Sequence, residues 1–167
     1  MKERFLYLLR FYLTTIVIFL VAKVVFMLAY RGEHPFGFGD MVDVIRHGLS
    51  LDLSTALYFL IVPFLLTAAS FWVRLPRWPF RLYYAIAAVV ASLAFVADTS
   101  LYAFWQFKLD ASCLQYLETP TDAMASVTAG YIIVRVMLFV IVALLIYFAY
   151  ALKERHLRIE RTAFTQS

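Results

Sequence analysis

Apolar residues occupy this chain in four long stretches, and polar residues fall mostly between them. The stretches cover residues 11–30, 53–72, 82–104 and 131–152. A bilayer core is about 30 Å thick and a helix rises about 1.5 Å per residue, so roughly 20 mainly apolar residues make one crossing. Each stretch therefore predicts a transmembrane helix. The third is short if it stops at Ala97 and reaches a full crossing only by running past Asp98 toward Trp105. Pro63 falls in the middle of the second, where it removes one backbone donor and is expected to kink the helix. The expected fold is all-α: an integral membrane bundle of four transmembrane helices over residues 1–152, followed by a charged tail at 153–167.

The connections carry their own signals. RGEHPFGFGD (Arg31–Asp40) is rich in Gly and turn residues and reads as a loop. DMVDVIRHG after it predicts a short amphipathic helix lying at the membrane surface. Asp40 caps it, Met41, Val44 and Ile45 share a face, and Gly48 ends it. Ser50 then caps the second span, with Asp52 in its first turn, where the helix dipole favours a negative charge. VRLPRWPFR (Val73–Arg81) is a short basic turn with two prolines, and Trp72 and Trp78 suit the membrane interface. Past the third span, Leu109, Cys113, Leu114 and Leu117 fall near one helical face. Thr119-Pro120-Thr121-Asp122 then looks like a new helix start. Short amphipathic helices on the outer face are thus expected on both outer connections.

Charge sets the orientation. A net charge of +4 could point to nucleic acid, but the basic residues are not spread as such a surface would need. Lys2, Arg4, Arg10, Arg74, Arg77, Arg81, Lys153, Arg155, Arg158 and Arg161 fall on one side of the spans; Arg31, Arg46 and Lys108 fall on the other. Cytoplasmic connections carry the Lys/Arg excess, which predicts both termini on the cytoplasmic side. The basic balance then reflects topology and anionic inner-leaflet lipid, not a nucleic-acid partner. The first span reads as a signal anchor: its apolar run is long for a cleaved signal, Lys23 interrupts it, and no small-x-small site follows. Cys113 is the single cysteine, which excludes an intrachain disulfide and Cys-based zinc spacing.

Candidate chemistry gathers on the expected outer side: Arg46, His47, Asp52, Asp98, Lys108 and Asp110. A lipid head-group or ion-pair cluster accounts for these residues, and so do capping and ordinary interfacial polarity. Asp43 and His47 are four apart and share a helical face, yet no paired-His or HExxH spacing exists, and no metal site is assigned. Lys23 and Arg135 lie inside spans, where an isolated charge costs about 2.5–3.5 kcal/mol at a helix centre. Each either snorkels outward or pairs with Asp52 or Asp98. No nucleophile arrangement or phosphate-binding Gly loop is present, so no catalytic residue is assigned.

Two segments carry a resemblance. HGLSLDLSTALY (His47–Tyr58) and DTSLYAFWQFKLDASCLQYLETPTDAMASV (Asp98–Val127), with the opening MKERFLYLLRFYL, resemble the N-terminal membrane region of bacterial lipoteichoic acid synthase-like, sulfatase-type enzymes. These belong to the alkaline phosphatase superfamily. The resemblance covers most of the chain and implies a multi-pass protein of the bacterial cytoplasmic membrane. It further implies a membrane-anchoring, lipid-facing region of a phosphoglycerol or phosphoethanolamine transferase or sulfatase-like enzyme. In that family about five membrane helices precede an extracytoplasmic α/β domain, which binds a divalent metal and supplies the nucleophile. No position here matches a residue of that domain, so none of its catalytic or metal-binding residues carries over and no cofactor is expected on this chain. Expected partners are membrane lipids and that domain. The alternative is a self-sufficient small four-helix membrane protein, a subunit or a transporter component.

Overall fold

The computed structural model describes residues 2–30, 37–72, 76–105 and 128–163. These form four helices: α1 (Lys2–Ala29), α2 (Phe38–Ala69), α3 (Trp78–Trp105) and α4 (Ala129–Ala163). No strand occurs among the described residues. Each helix contains a stretch long and apolar enough to cross a membrane, so the all-α, four-span expectation holds. Large apolar side chains are exposed along every helix, Val17, Leu57, Leu93 and Leu145 among them. In water such a surface would aggregate; in a bilayer it is the face turned to lipid.

The helix ends follow from local chemistry. α3 starts just before Pro79, whose missing N–H falls in a first turn where no intrahelical partner exists anyway. It continues past Asp98 to Trp105, the longer of the two courses open to the third span. At the start of α4 the Thr128 hydroxyl accepts the N–H of Tyr131 at 3.4 Å, a side-chain N-cap. α4 then runs beyond Leu152 to Ala163, so most of the expected charged tail is helical.

The amphipathic helix expected at residues 40–48 is a correction. Gly48 does not end it and Ser50 caps nothing: α2 passes unbroken through both, from Phe38 to Ala69. Gly37 is the N-cap instead, and the Asp40 carboxylate reaches back to accept its N–H at 2.8 Å. A glycine inside a helix costs only about 1 kcal/mol. Breaking the helix near hydrocarbon would leave several backbone groups without partners, which costs more. The second expected amphipathic piece, at residues 109–127, lies outside the described residues.

The chain forms two compact units. The first comprises residues 1–87 and 146–167 and holds α1, α2, the start of α3 and the end of α4. Here α1 and α2 run antiparallel, touching in turn at Arg4 with Ser70, Phe19 with Phe59 and Lys23 with Asp52. Arg4 closes the α2 end: its guanidinium lies 3.9 Å from the Phe71 ring centre and donates to the Ser70 carbonyl at 3.4 Å. A cation there suits the negative end of the α2 dipole.

The core of this unit is aromatic. Phe11 stacks on Tyr150 at 4.7 Å and on Tyr84 at 6.1 Å, and all three are almost fully buried. The tyrosine hydroxyls are satisfied locally. Tyr7 and Tyr84 share a hydrogen bond of 2.5 Å. Thr15 gives its one proton to the Phe11 carbonyl at 2.9 Å, so Tyr150, 3.1 Å away, must donate to Thr15. Between lipid-exposed helices no hydrophobic force drives association; close packing and such hydrogen bonds supply it.

Pro63, fully buried in α2, has a specific partner. A proline cannot donate to the carbonyl four residues earlier, which here belongs to Phe59. The Tyr83 hydroxyl of α3 donates to that Phe59 carbonyl at 2.5 Å. The neighbouring helix thus replaces the bond that the proline removes, as hydrocarbon surroundings require.

The second unit, residues 88–145, contains the rest of α3 and the start of α4. Its buried hydroxyls turn back on their own helix: Ser92 donates to the Ala88 carbonyl and Thr99 to those of Phe95 and Val96, both at 3.0 Å. Ala88 and Ser92, the small pair at helical spacing, are buried within the chain.

Candidate functional site

Lys23 and Asp52 decide how the polar residues of α1 and α2 are used. Lys23 lies in the last third of α1, within its apolar run, and Asp52 lies in α2. The ammonium donates to Asp52 Oδ2 at 2.6 Å, with the side chains 22% and 8% exposed. Of the two courses open to Lys23, the structure takes pairing. An isolated ion of either sign would cost about 2.5–3.5 kcal/mol near the middle of the bilayer, and the pair carries no net charge.

Gly48 leaves room for the Lys23 ammonium where it stands in the pair. It stands one turn before Asp52 on the same face of α2. A Cβ built at Gly48 would overlap the Lys23 ammonium. Glycine is therefore a matter of space here, not of turning the chain: a missing methyl opens the slot through which Lys23 reaches the carboxylate. Two opposed effects then bear on Gly48→Ala. Alanine adds about 1 kcal/mol of helix propensity. Displacing the ammonium leaves Asp52 poorly compensated, at about 2–3 kcal/mol. The expected net result is a loss of about 1–2 kcal/mol in a detergent unfolding titration. In a Lys23→Ala, Asp52→Ala background the sign reverses, to a gain of about 1 kcal/mol, because only propensity remains.

The other expected site residues do not join this pair among the described contacts. Arg46 and His47 are exposed on α2. His47 bonds to the backbone of Asp43 rather than to its carboxylate: Nδ1 lies 2.8 Å from the carbonyl oxygen, which can only accept, so Nδ1 carries the proton. Asp98 is half-buried on α3 in the second unit. Lys108 and Asp110 lie outside the described residues. Among the described residues no group of three or more His, Cys, Asp or Glu side chains is placed to hold a metal ion.

Arg135 does not form an ion pair among the described residues. Its guanidinium lies 4.8 Å from the ring centre of Tyr131, one turn toward the start of α4. That is the direction in which helical side chains lean, and it carries the charge toward the end of the membrane-length stretch. A cation over an aromatic face gains about 0.5–2 kcal/mol, rising with desolvation.

Residue order alone did not reveal the hydroxyl partnerships of Tyr7, Thr15, Tyr83, Tyr84 and Tyr150. A signal was present. Tyrosine inside an apolar run needs a partner for its hydroxyl, and a mid-span proline needs a donor from elsewhere.

Helices of this length and composition, with an internal ion pair and lipid-exposed apolar faces, define a multi-pass membrane protein. No protein family, curated protein or solved structure matches the chain.

Proposed function

We propose that this chain is the membrane-anchoring, lipid-facing region of a phosphoglycerol or phosphoethanolamine transferase, or of a sulfatase-like enzyme, in the bacterial cell envelope. Catalysis would belong to an extracytoplasmic domain outside these residues, and that domain would hold the divalent metal. The spans would lie in the cytoplasmic membrane with both termini inside, as the Lys/Arg distribution favours.

One observation carries the reading. Within the resembling segment HGLSLDLSTALY, Gly48 and Asp52 act as one device on Lys23 of α1. The segment's distinctive residues are used to assemble helices, which is the work of an anchoring region. Lys108 would then serve the head group or the attached domain. The rival, a self-sufficient four-helix subunit or transporter component, uses the same assembly without any domain to carry.

The test begins with the coding DNA read in frame beyond Ser167. A further hydrophobic segment followed by a long soluble domain is the expected result, and a stop codon with a stable, correctly inserted product favours the rival. In the complete enzyme, Lys108→Ala is expected to slow turnover of the lipid substrate while leaving expression and helix content intact. Unchanged turnover removes that role for Lys108.

A further inference from the structure

α2 buries Asp52, Ala56 and Pro63 on one side. Turned away from them, at three- and four-residue spacing, Asp43, His47, Ser50, Ser54, Tyr58 and Ile61 share an exposed face. Lipid tails offer nothing to a hydroxyl, so such a face is expected to turn apolar as the helix enters hydrocarbon. This one stays polar. Tyr58 lies about 18 Å along α2 from Ser70, where Arg4 closes the helix, and so in the middle third of a core about 30 Å thick. It is 72% exposed, and its hydroxyl bonds to nothing among the described residues.

The same face carries a matching group. Ser54 stands one turn from Tyr58 and gives its proton to the Ser50 carbonyl at 2.9 Å, which leaves the Ser54 oxygen able to accept. Helical side chains lean toward the N-terminus, so the Tyr58 hydroxyl rides near the level of Ser54. A donor without an acceptor and an acceptor without a donor thus sit at one depth. Nearer the start of α2 the pattern repeats in charge. The Asp43 carboxylate and the Arg46 guanidinium are exposed and bond to no other side chain among the described residues. An interface between identical copies about a two-fold axis must be self-complementary, and a face holding both halves of each pair meets that condition. A lipid does not: its phosphate stays at the membrane surface, and its acyl chains accept no hydrogen bond from Tyr58.

We propose that two copies of this chain pack α2 against α2, side by side and in the same orientation, with Tyr58 of each donating to Ser54 of the other. The dimer goes beyond the anchoring role, since it forms whether or not a catalytic domain is attached.

Energy transfer tests this on the full 167-residue chain, labelled at its N-terminus with donor or acceptor dye and reconstituted in phosphatidylcholine vesicles. Transfer is expected to fall along a monomer–dimer curve as the protein is diluted in lipid. Tyr58→Phe keeps the ring and removes both symmetric bonds, and should raise the dissociation constant about tenfold. Ser54→Ala should do the same, and the double variant no more than either alone, because donor and acceptor serve one bond. In a Cys113→Ser background, Ile61→Cys should cross-link between copies under mild oxidation, whereas Leu93→Cys, at an exposed position of α3, should not. Circular dichroism confirms that each variant remains helical, and the Ile61→Cys cross-link supplies the test if Tyr58→Phe does not fold. A chain that stays monomeric at every dilution, or a dimer that neither Tyr58→Phe nor Ser54→Ala weakens, overturns the proposal. So does cross-linking through Leu93→Cys equal to that through Ile61→Cys. Because no readout needs catalytic activity, failure here is separate from failure of the transferase reading.

Discussion

Replacing Asp52 with alanine is expected to destabilise the folded chain by about 3 kcal/mol, measured by equilibrium unfolding in mixed detergent micelles. The carboxylate is the partner of the Lys23 ammonium at 2.6 Å, and removing it strands a cation inside an apolar run. Removing one member of a buried pair costs about 3–5 kcal/mol. The lower figure applies because Lys23 keeps 22% of its side-chain surface and can swing partly outward. Replacing both residues, as Lys23→Met with Asp52→Leu, should restore most of the loss, since neither charge remains to be compensated. A double variant no more stable than Asp52→Ala alone would show that the pair is not what holds α1 to α2. The double-mutant cycle separates these outcomes, because the two residues are in direct contact.

The second large effect is expected at Tyr83. Phenylalanine there keeps the ring and deletes the hydroxyl that donates to the Phe59 carbonyl at 2.5 Å. With Pro63 four residues on, α2 has no donor of its own for that carbonyl. A polar group left without a partner in apolar surroundings costs about 1–3 kcal/mol, so Tyr83→Phe should cost about 2 kcal/mol. The dependence on Pro63 is the sharper test. In a Pro63→Ala background the helix regains its N–H, and Tyr83→Phe should then cost no more than about 0.5 kcal/mol. Equal costs in the two backgrounds would mean that Tyr83 acts through packing alone.

These two devices mark how far residue order could be read. The four spans were plain, because a crossing is set by length and apolar content, and both can be counted along the chain. Pro63 reads as a kink, but the tyrosine that answers it lies on another helix, 24 positions from Phe59, whose carbonyl it bonds. No periodicity within one segment could pair them. Lys23 was seen as a costly charge with Asp52 as one possible partner, and the structure chose between the alternatives. Gly48 reads as a helix end because glycine at the end of a polar stretch usually ends a helix, yet α2 runs through it. Only the position of the Lys23 ammonium shows that the residue is there to leave space. The same local logic put a cap at Ser50, which sits inside α2. The partners of Tyr7, Tyr84 and Tyr150 lie on other helices, and a hydroxyl's partner cannot be read from composition.

The ion pair also fixes what counts as the smallest insertable piece of this protein. α1 on its own would enter a bilayer with an unneutralised ammonium, and α2 on its own with an unneutralised carboxylate. Only the hairpin that joins them is electrically silent within hydrocarbon. A cut in the link between the two helices would leave each charge to reach water on its own.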